Sequence, residues 1–207
     1  MIYLHFAKAF DSVDHTILLA KLRAYRISGQ LLAWFVDYIM GWAQRVVLDG
    51  AASQWAPVTS GVPQGSLLGP LLFTILINDL PGETVGQRYT LMTPSCIKTS
   101  APSASLSLQT ALANLNDWSK WNNINFNTSK CKTLTVTQKK TCLIYDYTLD
   151  NTQLVRVFAE KDLGVTITST LSYHSHINTI TAKANKLFGL QKRTCPLLTD
   201  MSTRRTP

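Results

Sequence analysis

Residues 60–81 read SGVPQGSLLGPLLFTILINDLP, and the interpretation of the rest of the chain starts from this stretch. Gly61, Pro63 and Gly65 predict an irregular loop, because glycine allows positive φ and proline fixes its own φ. The run 71–80 is largely apolar and predicts a buried helix, much shorter than the roughly 20 residues that span a bilayer. The stretch therefore predicts a loop that leads into a core helix.

A glycine-rich loop before a helix has two interpretations. Its backbone N–H groups are suited to lie against a nucleotide or a template strand. Loops of this composition also often do no more than connect two elements. The residues alone leave both interpretations open.

Composition and charge indicate a globular chain with a basic second part. The chain has 207 residues, of which 45% are hydrophobic, and a formal net charge of +8. Residues 1–119 carry seven Lys/Arg and seven Asp/Glu, whereas residues 120–207 carry thirteen and five. The whole excess therefore lies in the second part, where a polyanionic partner and a solvated basic face both explain it.

Neither the cysteines nor the amino end indicate secretion. Cys96, Cys131, Cys142 and Cys195 form no CxxC pair, so we expect reduced thiols. Residues 1–6 lack the basic region and the long apolar run of a signal peptide. We expect an intracellular protein, cytoplasmic or nuclear, that does not associate with a membrane.

Before the quoted stretch, periodicity predicts a strand, two helices and a hairpin. Residues 2–6 predict a buried strand, and residues 12–25 a helix capped by Asp11 or Ser12 with Asp14 in its first turn. A second helix follows, and the apolar stripes of both are expected in the core. In this second helix the stripe consists of Leu31, Trp34, Phe35 and Tyr38. An Asp-Gly pair at 49–50 predicts a tight turn between strands 44–48 and 53–58.

After the quoted stretch, the pattern alternates between strands and helices. It predicts a loop at 82–86, strands 89–92 and 96–98 around a turn at 93–95, a helix at 105–121, strands 133–138, 143–147, 153–158 and 163–168, and a last helix at 174–192.

The order of residues in the quoted stretch resembles motif B of reverse transcriptases, in the form found in LINE-type (non-LTR) retrotransposons. This resemblance implies RNA-directed DNA polymerisation with Mg²⁺ as the family activity. It also implies that the loop contacts the template base and the incoming nucleotide, through Gly61, Val62, Pro63, Gln64 and Gly65.

The opening segment LHFAKAFD, residues 4–11, resembles motif A of the same family. His5 occupies the position of the metal-binding Asp. Phe10 matches the aromatic residue that packs under the sugar and disfavours a 2′-hydroxyl, the sugar gate, although an aromatic at this position is also a common core residue.

Motif C of the family carries two adjacent Asp residues at the tip of a hairpin, and here Pro94 and Ser95 stand in their place. A shifted alignment does not recover them, because residues 84–116 contain no Asp or Glu. Mg²⁺ is a hard ion that binds carboxylate oxygens. We therefore expect no metal cofactor and no catalysis, although intact members of the family use Mg²⁺.

The later part of the chain also resembles the family. Residues 125–131 resemble motif D, whose lysine protonates the leaving pyrophosphate, so Lys130 is a candidate general acid; a solvated lysine in an Asn-rich turn is the alternative. Residues 161–165 and 176–187 resemble the segment that joins palm to thumb. That resemblance implies contact with a nucleic-acid backbone through Lys183, Lys186, Lys192 and Arg193.

The expected fold is α+β, a polymerase palm-like antiparallel sheet with helices packed on one face, followed by a partial thumb-like helical segment. We expect the palm-like domain at 1–138, the palm-to-thumb connection and basic helix at 139–200, and a tail at 201–207. The chain starts at motif A, so we expect a truncated element without fingers that depends on a protein partner to cover exposed apolar surface.

Three functional hypotheses follow. The first is an inactive retrotransposon fragment of the reverse transcriptase family, and the second is a nucleic-acid-binding module for RNA or an RNA–DNA hybrid. The third is an RNA-directed DNA polymerase with residual activity. Primer extension separates the third hypothesis from the others, and a binding measurement separates the first two.

Overall fold

A computed structural model describes residues 1–81, 87–89, 94–96, 102–137 and 144–194. The chain divides into two compact units, which are described separately. The first consists of Met1–Thr133 and Leu143–Arg156, and the second of Leu134–Cys142 and Val157–Pro207. The expected loop at 82–86 and the tail at 201–207 lie outside the described residues, and the functional division at 138 and 200 stays a prediction.

Helices and short strands alternate along the chain. The helices are α1 (His15–Ala24), α2 (Gly29–Ile39), α3 (Leu68–Ile77), α4 (Pro102–Trp121) and α5 (His174–Thr194). The strands are β1 (Ile2–Tyr3), β2 (Ala43–Gln44), β3 (Val47–Leu48), β4 (Ala51–Ala52), β5 (Ala56–Pro57), β6 (Gln87–Tyr89), β7 (Pro94–Cys96), β8 (Lys132–Leu134), β9 (Thr148–Leu149), β10 (Thr152–Gln153), β11 (Val155–Val157), β12 (Ala159–Asp162) and β13 (Val165–Thr168).

The largest sheet has the strand order β11-β8-β1-β7-β6. Its central strand, β1, pairs antiparallel with β7 on one side and with β8 on the other, so that Ile2 lies opposite both Cys96 and Thr133. Ile2, Tyr3 and Leu4 are at most 2% exposed. The α+β class with antiparallel pairing is therefore confirmed, and the amino end supplies the middle of the sheet.

The core of the first unit lies where α1, α3 and α4 meet the sheet. The fully buried leucines of these helices are Leu18 and Leu22 from α1, Leu72 and Leu76 from α3, and Leu112 and Leu115 from α4. The stripe predicted for α1 also included Tyr25, which is 48% exposed, so that part of the prediction was wrong. The stripe predicted for α2 is only partly in the core. Phe35 is buried, but Leu31 and Trp34 are about half exposed, which corrects the expectation for these two residues.

Two helices begin at residues other than those predicted. Asp14 is the N-cap of α1, because its Oδ1 accepts hydrogen bonds from the Thr16 and Ile17 amides; the predicted caps Asp11 and Ser12 lie before the helix. Helix α3 begins at Leu68 and not at Leu71. It tolerates Pro70 in its first turn, where backbone N–H groups have no partner within the helix.

The predicted hairpin at 44–58 is confirmed. Asp49 and Gly50 both have positive φ, 49° and 83°, as a two-residue type I′ turn requires. Pairing of β3 with β4, and of β2 with β5, continues away from this turn.

Other strand predictions were less accurate. Residues 144–147 are not a strand, and the strand β12 was missed. Pro94 and Ser95 lie in β7 and not in the predicted turn. The remainder of the predicted strands at 90–92 and 97–98 lies outside the described residues.

Among the described helices, none combines the length and the apolar character that a membrane span requires.

Replacing Asp14 with Ala tests the N-cap. The Asn123 amide and the two backbone N–H groups hold the pKa of Asp14 below its ordinary value. We expect a loss of about 1–2 kcal/mol of unfolding free energy near neutral pH, measured by urea denaturation. Because a carboxylate with a lowered folded pKa stabilises the fold only while ionised, the difference should shrink below about pH 4.

The matched control is Asp37→Ala, which removes an exposed carboxylate from α2. It should change stability little at any pH. An equal loss in both variants, or a loss in Asp14→Ala that persists unchanged at low pH, would contradict the cap.

Candidate functional site

The glycine-rich loop lies against the segment that follows β1. The Gly61 amide donates to the Val13 carbonyl at 2.8 Å, and the Val62 amide donates to the Phe10 carbonyl at 2.9 Å. The Ser60 hydroxyl donates to the Asp11 carbonyl at 2.9 Å. Two segments some fifty residues apart in sequence, those that resemble motifs A and B, are therefore joined backbone to backbone.

Gly61 is required for this close approach. Its φ is +95°, and a Cβ at this position would lie 3.1 Å from the Asp11 Cα, the Asp11 carbonyl oxygen and the Phe10 carbonyl oxygen. Gly65 also has a positive φ, +83°, but a Cβ there would meet nothing within 4 Å. Gly61 is therefore needed for its positive φ and for the close approach to Phe10 and Asp11, whereas Gly65 is needed for its positive φ alone.

Two side chains that sequence reasoning did not assign to the site hold the loop from the α1 side. His15 is 5% exposed, and its Nε2 lies 2.7 Å from the Gly61 carbonyl oxygen. The Asp11 Oδ1 accepts a hydrogen bond from the Gln64 amide at 2.7 Å. A lone histidine near a helix start carries no sequence signal for such a contact.

The far end of the loop is fixed to α3. The Ser66 hydroxyl donates to the Pro63 carbonyl at 2.8 Å and accepts from the Gly69 amide at 2.9 Å. A Cβ on Gly69 would lie 2.6 Å from the Pro63 oxygen, so glycine is required inside the helix as well. The loop is therefore held at both ends.

The loop forms one wall of a cleft of about 660 Å³. Ile39 and Trp42 contribute apolar surface opposite the loop, and Asp11 and Gln64 contribute polar groups. Phe10 is half-buried with its ring against Phe73, at a centroid distance of 5.0 Å. Its position between core and surface agrees with both interpretations of this aromatic residue.

The segment with His5 lies against residues 125–131, the part of the chain that resembles motif D. The His5 amide donates to the Cys131 thiol sulfur at 3.4 Å, and the His5 carbonyl accepts from the Asn127 amide at 2.7 Å. Phe6 stacks on Phe126 with centroids 4.8 Å apart. Burial raises the pKa of the Cys131 thiol, which therefore stays protonated.

The segment that contains His5 follows β1, which is the neighbour of the strand that contains Pro94 and Ser95. Ser95 pairs with Tyr3, and His5 follows two residues after Tyr3. The structure therefore brings together the segments that contain His5, Pro94 and Ser95.

The donor groups at these positions do not fit Mg²⁺. They comprise an imidazole, a proline without a side-chain donor, and one hydroxyl, whereas Mg²⁺ binds oxygen ligands and above all carboxylates. Within the described ranges, no cluster of three His, Cys, Asp or Glu residues is arranged to hold a metal.

Three nearby carboxylates already have structural partners. Asp11 holds Gln64, and Asp14 caps α1. Asp79 accepts from Lys21 Nζ at 2.6 Å and from the Trp118 indole at 3.1 Å. Burial lowers the pKa of Lys21, although its contact with Asp79 opposes the shift. Through these two contacts Asp79 connects the end of α3 to α1 and α4, so it has a structural role.

The remaining candidate residues are exposed. Lys130 lies in the turn 127–130, where its amide donates to the Asn127 carbonyl at 3.0 Å. In the second unit, α5 carries exposed Lys183, Lys186, Lys192 and Arg193. Because these lysines and this arginine lie in a separately described unit, they form a second candidate surface.

The first unit combines an antiparallel sheet with helices and a glycine-rich loop that contacts the segment after β1. This arrangement is that of a palm-like domain. The chain belongs to the reverse transcriptase (RNA-dependent DNA polymerase) family, whose sequence profile matches residues 1–149.

Curated relatives agree with this membership. The RNA-directed DNA polymerase from mobile element jockey of Drosophila funebris is 29% identical over 194 residues, covering 86% of this chain and 20% of the relative. The probable RNA-directed DNA polymerase from transposon X-element of Drosophila melanogaster is 26% identical, with the same coverage of both. The resemblance to LINE-type elements is thus confirmed, and the chain spans about a fifth of the length of these relatives.

Substituting Ala at Gly61 and at Gly65 tests how the loop is held. Gly65→Ala should cost only the strain of a left-handed alanine, about 1–2 kcal/mol of unfolding free energy. Gly61→Ala adds a close contact with two backbone segments and should cost about 3 kcal/mol or more. Urea denaturation of the two variants measures the difference, and equal losses would show that the docking against Phe10 and Asp11 is not tight.

Proposed function

We propose that this chain is a reverse transcriptase domain that does not catalyse nucleotide addition. The observation that carries the proposal is the donor set at the three metal positions, His5, Pro94 and Ser95, in a scaffold where the surrounding motifs persist. Family membership gives the activity to be expected, and the residues at the three metal positions supply no carboxylate for it.

Template-directed nucleotide addition uses two Mg²⁺ ions roughly 4 Å apart, which stabilise the attacking and the leaving oxygen. Without carboxylates to hold these ions, the primer hydroxyl is not activated. Lys130 is then left without a leaving pyrophosphate to protonate, and its exposed turn serves as solvated surface.

The position of the loop beside a cleft supports a remaining role in nucleotide contact. Gly61–Gly65 forms a held loop beside a cleft, with the exposed Gln64 at its edge. We propose that this surface still contacts a template base or nucleotide, with Phe10 beside it, and that the contact leads to no chemistry.

A second candidate function is nucleic-acid binding through α5. This 21-residue helix contains no acidic residue, and its exposed basic groups are Lys183, Lys186, Lys192 and Arg193. Such a surface suits the phosphate backbone of RNA or of an RNA–DNA hybrid. In this proposal residues 139–200 form the connection from palm to thumb and part of the thumb. The preceding palm-like domain has its helices packed on one face of the sheet.

The hairpin at 43–57 supports dependence on a protein partner. Trp42, Val47, Leu48 and Trp55 are each more than half exposed. Exposed apolar surface of this kind marks an interaction site in many proteins. We propose that in the cell, in the cytoplasm or the nucleus, another polypeptide covers this hairpin.

Primer extension tests the loss of catalysis. The purified chain is incubated with a primed RNA template and deoxynucleotides, in Mg²⁺ and separately in Mn²⁺. We expect no extension above the blank, because the site cannot hold the metal pair. An active reverse transcriptase on the same substrate is the control, and circular dichroism verifies that the chain is folded. Extension that rises with the concentration of this chain would overturn the proposal.

Fluorescence anisotropy tests the binding function. A labelled RNA–DNA hybrid should bind with an affinity that falls steeply with salt, by a slope of about −0.9 per phosphate contacted. Replacing both Lys183 and Lys186 with Glu should weaken binding and reduce the slope by roughly two units.

The matched control replaces Arg23, in the last turn of α1, and Arg26, just after that helix, with Glu, which changes the net charge equally but in the first unit. An equal effect of both double variants would indicate a general charge effect. No binding by the folded chain would contradict this second function and leave only the first proposal, a reverse transcriptase domain without catalysis.

A further inference from the structure

The cleft beside the glycine-rich loop is lined by neutral residues and one charged side chain, that of Asp11. The neutral residues include Ile39, Trp42, Val62 and Gln64. The cleft volume of about 660 Å³ is within the range of roughly 300–1,000 Å³ that small-molecule sites occupy. Largely apolar walls with a few polar groups are typical of such sites. The chemistry of Asp11 and Trp42 indicates which ligand fits.

The indole of Trp42 is held in place although the residue is 54% exposed. Its Nε1 donates a hydrogen bond to the Tyr38 carbonyl at 2.7 Å. Because the only polar atom of the indole is already bonded, the ring offers a ligand its π face, on which a base can stack. Val47, Leu48 and Trp55 of the hairpin do not line the cleft, so a polypeptide that covers them leaves Trp42 available.

The Asp11 carboxylate keeps unused acceptor capacity. Its Oδ1 accepts a hydrogen bond from the Gln64 amide at 2.7 Å, and no other donor in the described part of the chain binds this carboxylate. Each carboxylate oxygen can accept two hydrogen bonds, and an ionised carboxylate has no donor of its own. The cleft therefore suits a ligand edge that carries two adjacent N–H donors.

We propose that the cleft binds a guanine base, with the ring stacked on Trp42 and with N1–H and the N2 amino group donating to the Asp11 carboxylate. This inference rests on the nucleotide contact proposed above and adds base selectivity to it. Guanine is the only common base with two adjacent donors on its Watson–Crick edge. In adenine, cytosine and uracil an acceptor adjoins the donor on this edge, and that acceptor would face the carboxylate.

The guanine must be unpaired, because base pairing in a duplex uses the same edge. It can come from a free nucleotide or from a single strand, where proteins read bases on this edge. A site that copies a template must accept all four bases. Selectivity for one base therefore fits a chain that does not add nucleotides.

A guanidinium or ammonium group is the competing ligand, because a carboxylate and an aromatic ring also attract cations. The observations favour a base. Apolar lining residues such as Ile39, Pro57 and Val62 match the apolar faces of a planar ring and offer nothing to a hydrated cation. The Gln64 amide also already takes part of the Asp11 acceptor capacity.

Equilibrium dialysis of the full chain against labelled nucleotides tests the proposal. Guanosine monophosphate should bind at least about tenfold more tightly than the adenosine, cytidine and uridine monophosphates, the discrimination expected of a good bidentate contact. Inosine monophosphate lacks the N2 amino group and should bind with intermediate affinity. The pentanucleotides UUGUU and UUAUU separate the two sources of the base. A preference for UUGUU without binding of the monophosphate assigns a single strand, whereas binding of the monophosphate shows that a free nucleotide suffices.

Asp11→Asn separates the role of the carboxylate from a structural one. The asparagine oxygen still accepts from Gln64, while its amide replaces an acceptor with a donor. The variant should lose at least about tenfold in affinity for guanosine monophosphate. It should gain affinity for xanthosine monophosphate, whose C2 carbonyl accepts where guanine donates. Structural damage would weaken every ligand and strengthen none.

Trp42→Ala should weaken all four monophosphates, because it removes the stacking surface. The matched control Trp121→Ala removes an indole that is 83% exposed and does not line the cleft, so it should change no affinity. Circular dichroism verifies that the variants are folded.

Equal binding of the four monophosphates that Trp42→Ala weakens would overturn the guanine preference and leave the nucleotide contact in place. A guanine preference that Asp11→Asn leaves unchanged would also overturn the proposal. Monophosphates that do not bind, together with equal binding of the two pentanucleotides, would overturn both the preference and the nucleotide contact. Methylguanidinium that binds more tightly than guanosine monophosphate, and is lost in Asp11→Asn, would assign the cleft to a cation instead.

Discussion

The hydrogen bonds from the Gly61 and Val62 amides to the Val13 and Phe10 carbonyls connect the parts of the first unit. Before this contact the chain leaves the central strand β1, and after it the chain enters α3, whose side chains fill the core. Because Gly61 lets two backbone segments approach closely, the start of α1 and the start of α3 are set relative to each other. The loop that shapes the candidate cleft is thus also a structural joint.

The fold does not depend on carboxylates at positions 5, 94 and 95, where the chain has His, Pro and Ser. The sheet and the core rest on backbone pairing and on apolar side chains such as Leu22, Leu72 and Leu112. Grouped carboxylates repel each other when no metal is bound, so a folded chain gains no stability from keeping them. The His5 backbone contacts the Asn127 amide and the Cys131 thiol, and these contacts do not require a carboxylate side chain at this position. The scaffold therefore forms without a carboxylate at these positions.

Sequence patterns predicted those features that depend on local chemistry. The irregular loop, the I′ turn at Asp49–Gly50 and the buried stripe of α4 follow from glycine, turn residues and periodicity. Features that depend on distant partners were missed. Asp14 and not Asp11 caps α1, and Asp14 also accepts a hydrogen bond from Asn123. His15 is buried, with its ring on the Gly61 carbonyl. Leu31 and Trp34 of the α2 stripe are about half exposed. The family resemblance predicts site positions, and these stay predictions; it could not show that Asp11, Asp14 and Asp79 already have structural partners.

The central claim is that this palm-like domain does not hold the metal ions of its family. It is tested most directly by titrating Mn²⁺ into the folded chain and following the free aqueous ion by electron paramagnetic resonance. The account predicts that the free-ion signal grows in proportion to added Mn²⁺, as it does in buffer, because His5, Pro94 and Ser95 offer no carboxylate. Stoichiometric loss of the signal, removed again by a His5→Ala and Ser95→Ala double variant, would show that these positions hold a metal after all.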